Sequence, residues 1–310
     1  MSLYRRLQGV RKRPADSSEN KALLDPYRVG GEEKENGFGT YVMIEKEHQR
    51  DHHFVNQDPF CLYENLKLLY GIGPVTEKKL KEEGYRSIKD LTEHPKWKKQ
   101  ALSTAKCIEA GDIQKIRSLG AKDWDMLPFF DQEDIVFLDI ETTGLWSTQP
   151  LFLVGILFWH QNRLISRQFF ARQLYEEKPL LARLTEDLEG FSVIVTYNGK
   201  KFDIPYIEGR TVAHRLFYRS VHEQVDLLYH ARRHFRDVFP DCRLTTIEEY
   251  LLRKKRTDDI PGHLIPKAYY QFIKTQDAQL MDRIIKHNKE DLLAMADMFG
   301  IVQENFERVY

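Results

Sequence analysis

The sequence is poor in cysteine: Cys61, Cys107 and Cys242 are the three in 310 residues, far apart and without a CxxC pair. An odd, scattered set argues against a disulfide framework and a thiolate zinc site, and it fits a reducing compartment, so a cytoplasmic location is expected. Excess charge is missing too. Lys and Arg total 47, Asp and Glu total 47, and the formal net charge is +0, so any nucleic-acid partner would have to be held by local patches. No run approaches the ~20 apolar residues of a membrane helix. Nor does a hydrophobic core follow Met1-Ser2-Leu3-Tyr4-Arg5-Arg6, so neither a membrane span nor a secretory signal is expected. What the chain does have is 42% hydrophobic and 12% aromatic residues, ample for a real core. Its length leaves room for two domains.

The richest stretch is Asp134 to Gly144. Ile135 to Ile140 is nearly all apolar and reads as a strand buried on both faces. Asp139 and Glu141 interrupt it two residues apart, so they share a face at a spacing of roughly 7 Å along the strand. Two unpaired anions there are costly and call for cations. No nearby Arg or Lys run supplies them, which leaves a divalent metal as the natural partner. Thr142-Thr143-Gly144 then closes the strand with small residues that let a substrate backbone approach.

Upstream, residues 1 to about 57 read as a polar arm with a basic cluster, Arg11-Lys12-Arg13, and one possible strand from Thr40 to Glu45. His52-His53 reads as two surface histidines, because neighbours on a strand point to opposite faces. From Pro59 the period turns helical. Leu62, Leu66, Leu69 and Tyr70 form a stripe that stops at Gly71-Ile72-Gly73-Pro74, and short helices follow over Val75–Glu83, after Ser87, over Lys96–Ala110 and over Asp112–Ser118. The segment from Tyr70 to Leu80 resembles the helix-hairpin-helix family. In such a hairpin Gly71 and Gly73 allow a tight turn that aims N–H groups at a phosphate, with charge added by Lys78. The expected division is an arm over 1–57, a helical module over 58–122 and a larger α/β domain over 123–310.

In the larger domain, Leu151–Trp159 and Leu164–Phe170 complete an antiparallel meander with the opening strand, and an amphipathic helix spans Leu174 to Glu189. Val193–Tyr197 is a short strand. Asn198-Gly199 then turns the chain through Lys200-Lys201, placing Asp203 at a strand's carboxyl end and a helix start, where ligands of open α/β sheets bind. Val225–Leu228 reads as another strand carrying Asp226. The basic runs Arg232–Arg236 and Arg253–Arg256 read first as solvated helix faces, with the tracking of a phosphate backbone as the alternative for each. In the last helix Leu280, Ile284, His287, Asp291, Ala294 and Met298 make one inward stripe, two positions of which are ionisable.

Asp139-x-Glu141, Asn198-x-x-x-Phe202-Asp203 and His287-x-x-x-Asp291 together resemble the three motifs of the DEDD exonuclease superfamily, the ribonuclease-H-like nucleases. The resemblance covers about residues 131–300. With the pairing of His287-Asn288 and Asp291, the Asp259-Ile260-Pro261-Gly262 segment and the helix-hairpin-helix-like segment, it is most similar to the YprB-type subgroup. His287 combines the four-residue spacing of the tyrosine branch with the residue of the histidine branch. The resemblance implies a mixed five-stranded ribonuclease H-like sheet flanked by helices, and a metal-dependent nuclease, a 3′→5′ exonuclease on DNA or RNA using two Mg²⁺ or Mn²⁺ ions. It further implies that Asp139 bridges both ions, that Glu141 and Asp291 hold one and that Asp203 reaches the other. His287 would orient or deprotonate the water, and Thr142, Asn198 and Lys201 would contact nucleic acid. A structure-specific endonuclease and a non-catalytic nucleic-acid-binding module are the alternatives.

Overall fold

A computed structural model of the protein describes residues 29–49 and 58–306. The cluster Arg11-Lys12-Arg13 and the pair His52-His53 lie outside the described residues. One mixed sheet is built from β1 (Glu32–Asn36), β2 (Gly39–His48), β3 (Ile135–Thr142), β4 (Leu151–His160), β5 (Arg163–Phe170), β6 (Val193–Thr196) and β7 (Glu223–Asp226), in the order β1-β2-β5-β4-β3-β6-β7. The expected meander is present as β3-β4-β5, all antiparallel, and β6 and β7 follow parallel to β3. The sheet has seven strands, however, not five. β2 pairs with β5 from Val42 opposite Phe170 to His48 opposite Leu164, and β1 folds back on β2. β1 reads Glu-Glu-Lys-Glu-Asn, the charged composition that keeps a sheet edge from pairing further, so it carries no apolar alternation to announce it.

Local chemistry explains the connections. Gln161 and Asn162 both take left-handed φ values, 51° and 60°, which is the two-residue hairpin geometry that matches strand twist between β4 and β5. β3 alternates strictly. Val136, Leu138 and Ile140 belong to the apolar layer under the helices after β5, while Ile135 and Phe137 belong to the layer containing Leu292, Met295 and Phe299. By the same alternation Asp139 and Glu141 face the second layer, at the end of the strand.

The helical part before β3 contains α1 (Pro74–Glu82), α2 (Lys98–Glu109), α3 (Ile113–Ser118) and α4 (Asp123–Met126), all contributing to one apolar cluster, α4 through Met126. Its first limb differs from the expected helical stripe: Pro59–Glu64 and Leu66–Leu68 are two short 3-10 turns. Asp58 caps the first by accepting from the Phe60 N–H, and Asn65, at φ −87° and ψ 82°, interrupts before a longer helix can form. As a result Leu66 and Leu69 are buried while Tyr70 is 89% exposed. After β5 come α5 (Glu177–Leu188), α6 (Asp203–Ala213), α7 (Leu227–Phe235), α8 (Leu244–Tyr250), α9 (Ile265–Thr275) and α10 (Ala278–Phe306). No helix among the described residues is long and apolar enough to cross a membrane.

His230 on α7 is 3% exposed, with its ring 4.5 Å from that of Trp124 and neither ring nitrogen hydrogen bonded. Burial pulls its pKa down to about 4. The unfolded chain protonates it near 6.5, so its contribution is fully present above that pH and is lost as pH falls toward 4. His230→Phe is expected to remove this acid-side loss, on the order of 2–3 kcal/mol by pH 4. Chemical denaturation at pH 4.5 and 7.5 checks it: the variant should gain on the wild type only at the lower pH.

Candidate metal centre

Three parts of the chain meet at the carboxyl end of β3. β3 supplies Asp139 and Glu141, the start of α6 supplies Asp203, and α10 supplies His287, Asn288 and Asp291. Asp203 is buried, and its carboxylate accepts from the backbone N–H of Ile140, the residue between the two β3 acids. Asp226, at the end of β7, accepts from the N–H groups of Asn198 at 2.7 Å, Lys200 at 3.3 Å and Leu228 at 3.1 Å. It therefore pins the turn that delivers Asp203, with Asn198 at φ 68°.

Asn288 joins the helix to the strand. Its Nδ2 donates to Asp139 Oδ2 at 2.8 Å, and its Oδ1 accepts from Gln168 Nε2 of β5 at 2.7 Å. The helix comes this close because Gly155 of β4 lies opposite Asp139; a Cβ on Gly155 would stand 2.1 Å from Asn288 Oδ1 and 2.7 Å from Leu292 Cδ1. Sequence reasoning paired Asn288 with His287 only as a mark of the subgroup and gave it no role at the site.

His287 Nδ1 lies 2.7 Å from Asp259 Oδ1, while Nε2 is 3.5 Å from Asp291 Oδ2 and 4.0 Å from Glu141 Oε1. Arg256 also reaches Nδ1, at 3.3 Å. Nδ1 cannot accept from a guanidinium and donate to a carboxylate at once, and the carboxylate is the stronger partner for an N–H. Asp259 thus takes the proton-bearing nitrogen, leaving the Nε2 lone pair turned toward the acids.

Arg256 corrects the sequence reading twice. It belongs to no helix, and its side chain is 8% exposed, not solvated. Its guanidinium is hydrogen bonded to Asp291 and lies 2.7 Å from Glu248 and 3.6 Å from Asp259, so the acids do have one protein cation beside them. An arginine from a segment far along the chain is invisible to a search for nearby basic runs.

Burial first, and then the other acids, raises the pKa of Asp139 and of Glu141 well above the ordinary carboxylate value; for Asp139 those acids are Asp291, Glu141 and Asp203. Asp203 is pushed up to about 7, again mainly by burial. Like charges sharing a pocket lose a proton reluctantly unless a cation compensates them. The donors are all carboxylate oxygens, the set preferred by hard divalent ions. Among the described residues no three His, Cys, Asp or Glu side chains stand in ready ligating positions, Asp291 being engaged by Arg256 and Asp139 by Asn288. In donor chemistry and charge the residues fit a divalent ion.

The remaining sequence-singled residues divide in two. Thr142 lies beside the site, its hydroxyl donating to the Gly144 carbonyl at 2.7 Å. Lys201 is exposed on the turn before Asp203, whereas Lys200 pairs with Asp123 at 3.0 Å. Gly71, Gly73 and Lys78 belong to the separate helical part.

Comparison with known proteins gives three results. A family model described as the RNase_H superfamily matches residues 136–303. A Bacillus subtilis (strain 168) protein named YprB, itself uncharacterized, is 27% identical over 306 residues, covering 96% of this chain and 65% of the relative. The chain thus spans just under two thirds of that relative's length. Among solved structures, the family B DNA polymerase from the hyperthermophilic archaeon Pyrobaculum calidifontis matches 56% of this chain and 24% of its own, at 19% identity and a TM-score of 0.41.

Proposed function

Since the chain belongs to the RNase_H superfamily, we propose that it is a metal-dependent nuclease, acting as a 3′→5′ exonuclease on DNA or RNA. The observation that carries this reading is the convergence of Asp139, Glu141, Asp203 and Asp291, where burial and the neighbouring acids raise the pKa of the first three.

Asp139 would take part in holding both ions, Mg²⁺ or Mn²⁺, with Glu141 and Asp291 for one of them and Asp203 for the other. When bound, two such ions supply the positive charge that phosphodiester hydrolysis needs on its non-bridging and leaving oxygens, and lower the pKa of water. The protein's own groups do the rest. Asn288 fixes the Asp139 carboxylate, and Asp259 fixes the His287 ring so that Nε2 can orient or accept a proton from the attacking water.

The helical part supports a grip on nucleic acid. Gly71 takes φ +88° and the chain turns directly into α1, with Lys78 exposed at its middle. In this reading residues 58–122 are a helix-hairpin-helix-like module that holds phosphates without reading sequence. Lys78→Glu is expected to weaken oligonucleotide binding and make it less salt-dependent, with Mn²⁺ affinity unchanged, as measured by fluorescence anisotropy and calorimetry.

The test of the activity is a panel of labelled single- and double-stranded DNA and RNA with Mg²⁺ or Mn²⁺, with and without chelator. Stepwise shortening abolished by a blocked 3′ end is expected. Internal cutting of blocked substrates overturns the exonuclease assignment, and no ion-dependent cleavage of any substrate overturns the nuclease assignment.

A further inference from the structure

A cleft about 560 Å³ in volume includes Asn198, Arg232, Arg236 and Arg243 in its lining. Its position follows from strand register. β6 runs parallel to β3 with Val195 beside Phe137, and it ends at Thr196, so Tyr197 and Asn198 leave the sheet next to Asp139, on a strand about 4.8 Å away. Asn198, in the cleft lining, also begins the turn that delivers Asp203.

Its walls are fixed. The Tyr197 hydroxyl donates to the Cys242 carbonyl at 2.6 Å, tying the segment before α8 to the end of β6. Asp241 accepts from the Arg243 N–H at 2.9 Å, and its carboxylate lies 3.5 Å from the Arg243 side chain. On the opposite wall Arg232 and Arg236 stand one helical turn apart at the end of α7, exposed, and among the described residues neither forms an ion pair. Two unneutralised guanidiniums, a third partly neutralised one and a side-chain amide therefore converge on one cleft in a chain of zero formal charge.

We infer that this cleft is the track for the phosphodiester backbone of a single nucleic-acid strand continuing from the carboxylate site. The inference rests on the nuclease reading. Arginine forks match phosphate oxygens, and cations one turn apart, about 5–6 Å, line up along a strand. The polar lining contacts backbone, so recognition is independent of base sequence. The substrate class is accordingly a strand several nucleotides long, not a mononucleotide.

The experiment uses the full chain in chelator and a labelled single-stranded 12-mer, with binding read by anisotropy across salt concentrations. Arg236→Glu and Arg232→Glu are compared with Arg233→Glu, an equal change of charge at an exposed residue of the same helix that does not line the cleft. The two cleft variants are expected to weaken binding about tenfold or more and to flatten the salt slope by roughly 0.7 for each phosphate left without its cation. Arg233→Glu is expected to change affinity less than threefold. Equal losses in all three, or none in any, overturn the inference. A nucleoside monophosphate displacing the 12-mer as effectively as unlabelled 12-mer does also overturns it, making the cleft a product pocket. Calorimetry with Mn²⁺ on the unaltered chain separates the two ideas: cleft-dependent 12-mer binding without Mn²⁺ binding sinks the nuclease reading and leaves the strand track standing.

Discussion

Asp139→Asn is expected to lower ion-dependent hydrolysis by about 10³-fold or more, while raising the melting temperature of the chelated protein at pH 8. The first effect follows from position: Asp139 is the acid on which all the others act, and losing about 4 kcal/mol of transition-state stabilisation costs three powers of ten. The second follows from the sign of its pKa shift. Burial and the three neighbouring acids raise the Asp139 pKa, so its contribution to folding is fully present below the unfolded carboxylate value and is lost as pH rises through the raised one. An amide carries no charge to lose, and its oxygen can still accept from Asn288. At pH 4 the two proteins should melt alike. A radiolabelled cleavage assay with Mn²⁺ and melting curves in chelator at both pH values check this. Retained cleavage would end the catalytic assignment, and an unchanged melting temperature at pH 8 would show that the carboxylate is not held under electrostatic stress.

Arg210→Met is expected to be the most destabilising single change away from the site. Glu177 is 1% exposed, and Arg210 meets it with two hydrogen bonds, Nε at 2.7 Å and Nη2 at 2.6 Å. The same carboxylate accepts from the Leu151 N–H at 2.9 Å and lies 2.8 Å from His214 Nε2, while Arg210 Nη1 donates to the Ser147 carbonyl at 3.1 Å. The pair thus joins α5, α6, the start of β4 and the loop after β3. Removing the guanidinium leaves a buried charge without its main partner, which costs about 3–5 kcal/mol. For a domain of this size that is roughly 10–15 °C in melting temperature. Because α6 also carries Asp203, activity should fall before the melting transition is reached. Differential scanning calorimetry checks the size, and Arg210→Met combined with Glu177→Leu should recover part of it, since two apolar groups leave no stranded charge.

How much of this was legible beforehand depended on whether a residue contradicted its surroundings. Asp139, Glu141, His287 and Asp291 stood out because ionisable groups occupied positions that apolar periodicity reserves for the core, and the structure gathers all four. The meander was legible from short turns between apolar runs. β1 was not, because an edge strand made of Glu, Lys and Asn looks like a linker. The limb from Pro59 to Leu68 kept Leu62, Leu66 and Leu68 inside but not as an α-helix, since periodicity reports which side chains are buried and is weaker on how tightly the backbone winds. Arg256 was illegible for a different reason: its partners Glu248, Asp259 and Asp291 become its neighbours only when the segment after α8 folds against α10.

In the metal-dependent reading proposed above, Gly155 would bear on which ion is selected. Mg²⁺ demands near-ideal octahedral contacts at 2.0–2.1 Å, whereas larger cations tolerate longer and looser ones. The gap between the oxygens carried by β3 and those carried by α10 is set by how deeply the helix seats over a hydrogen atom where other residues have carbon. In that reading, ionic-radius discrimination would fall to a residue that never touches the ion, and a single methyl there would retune it without altering any ligand.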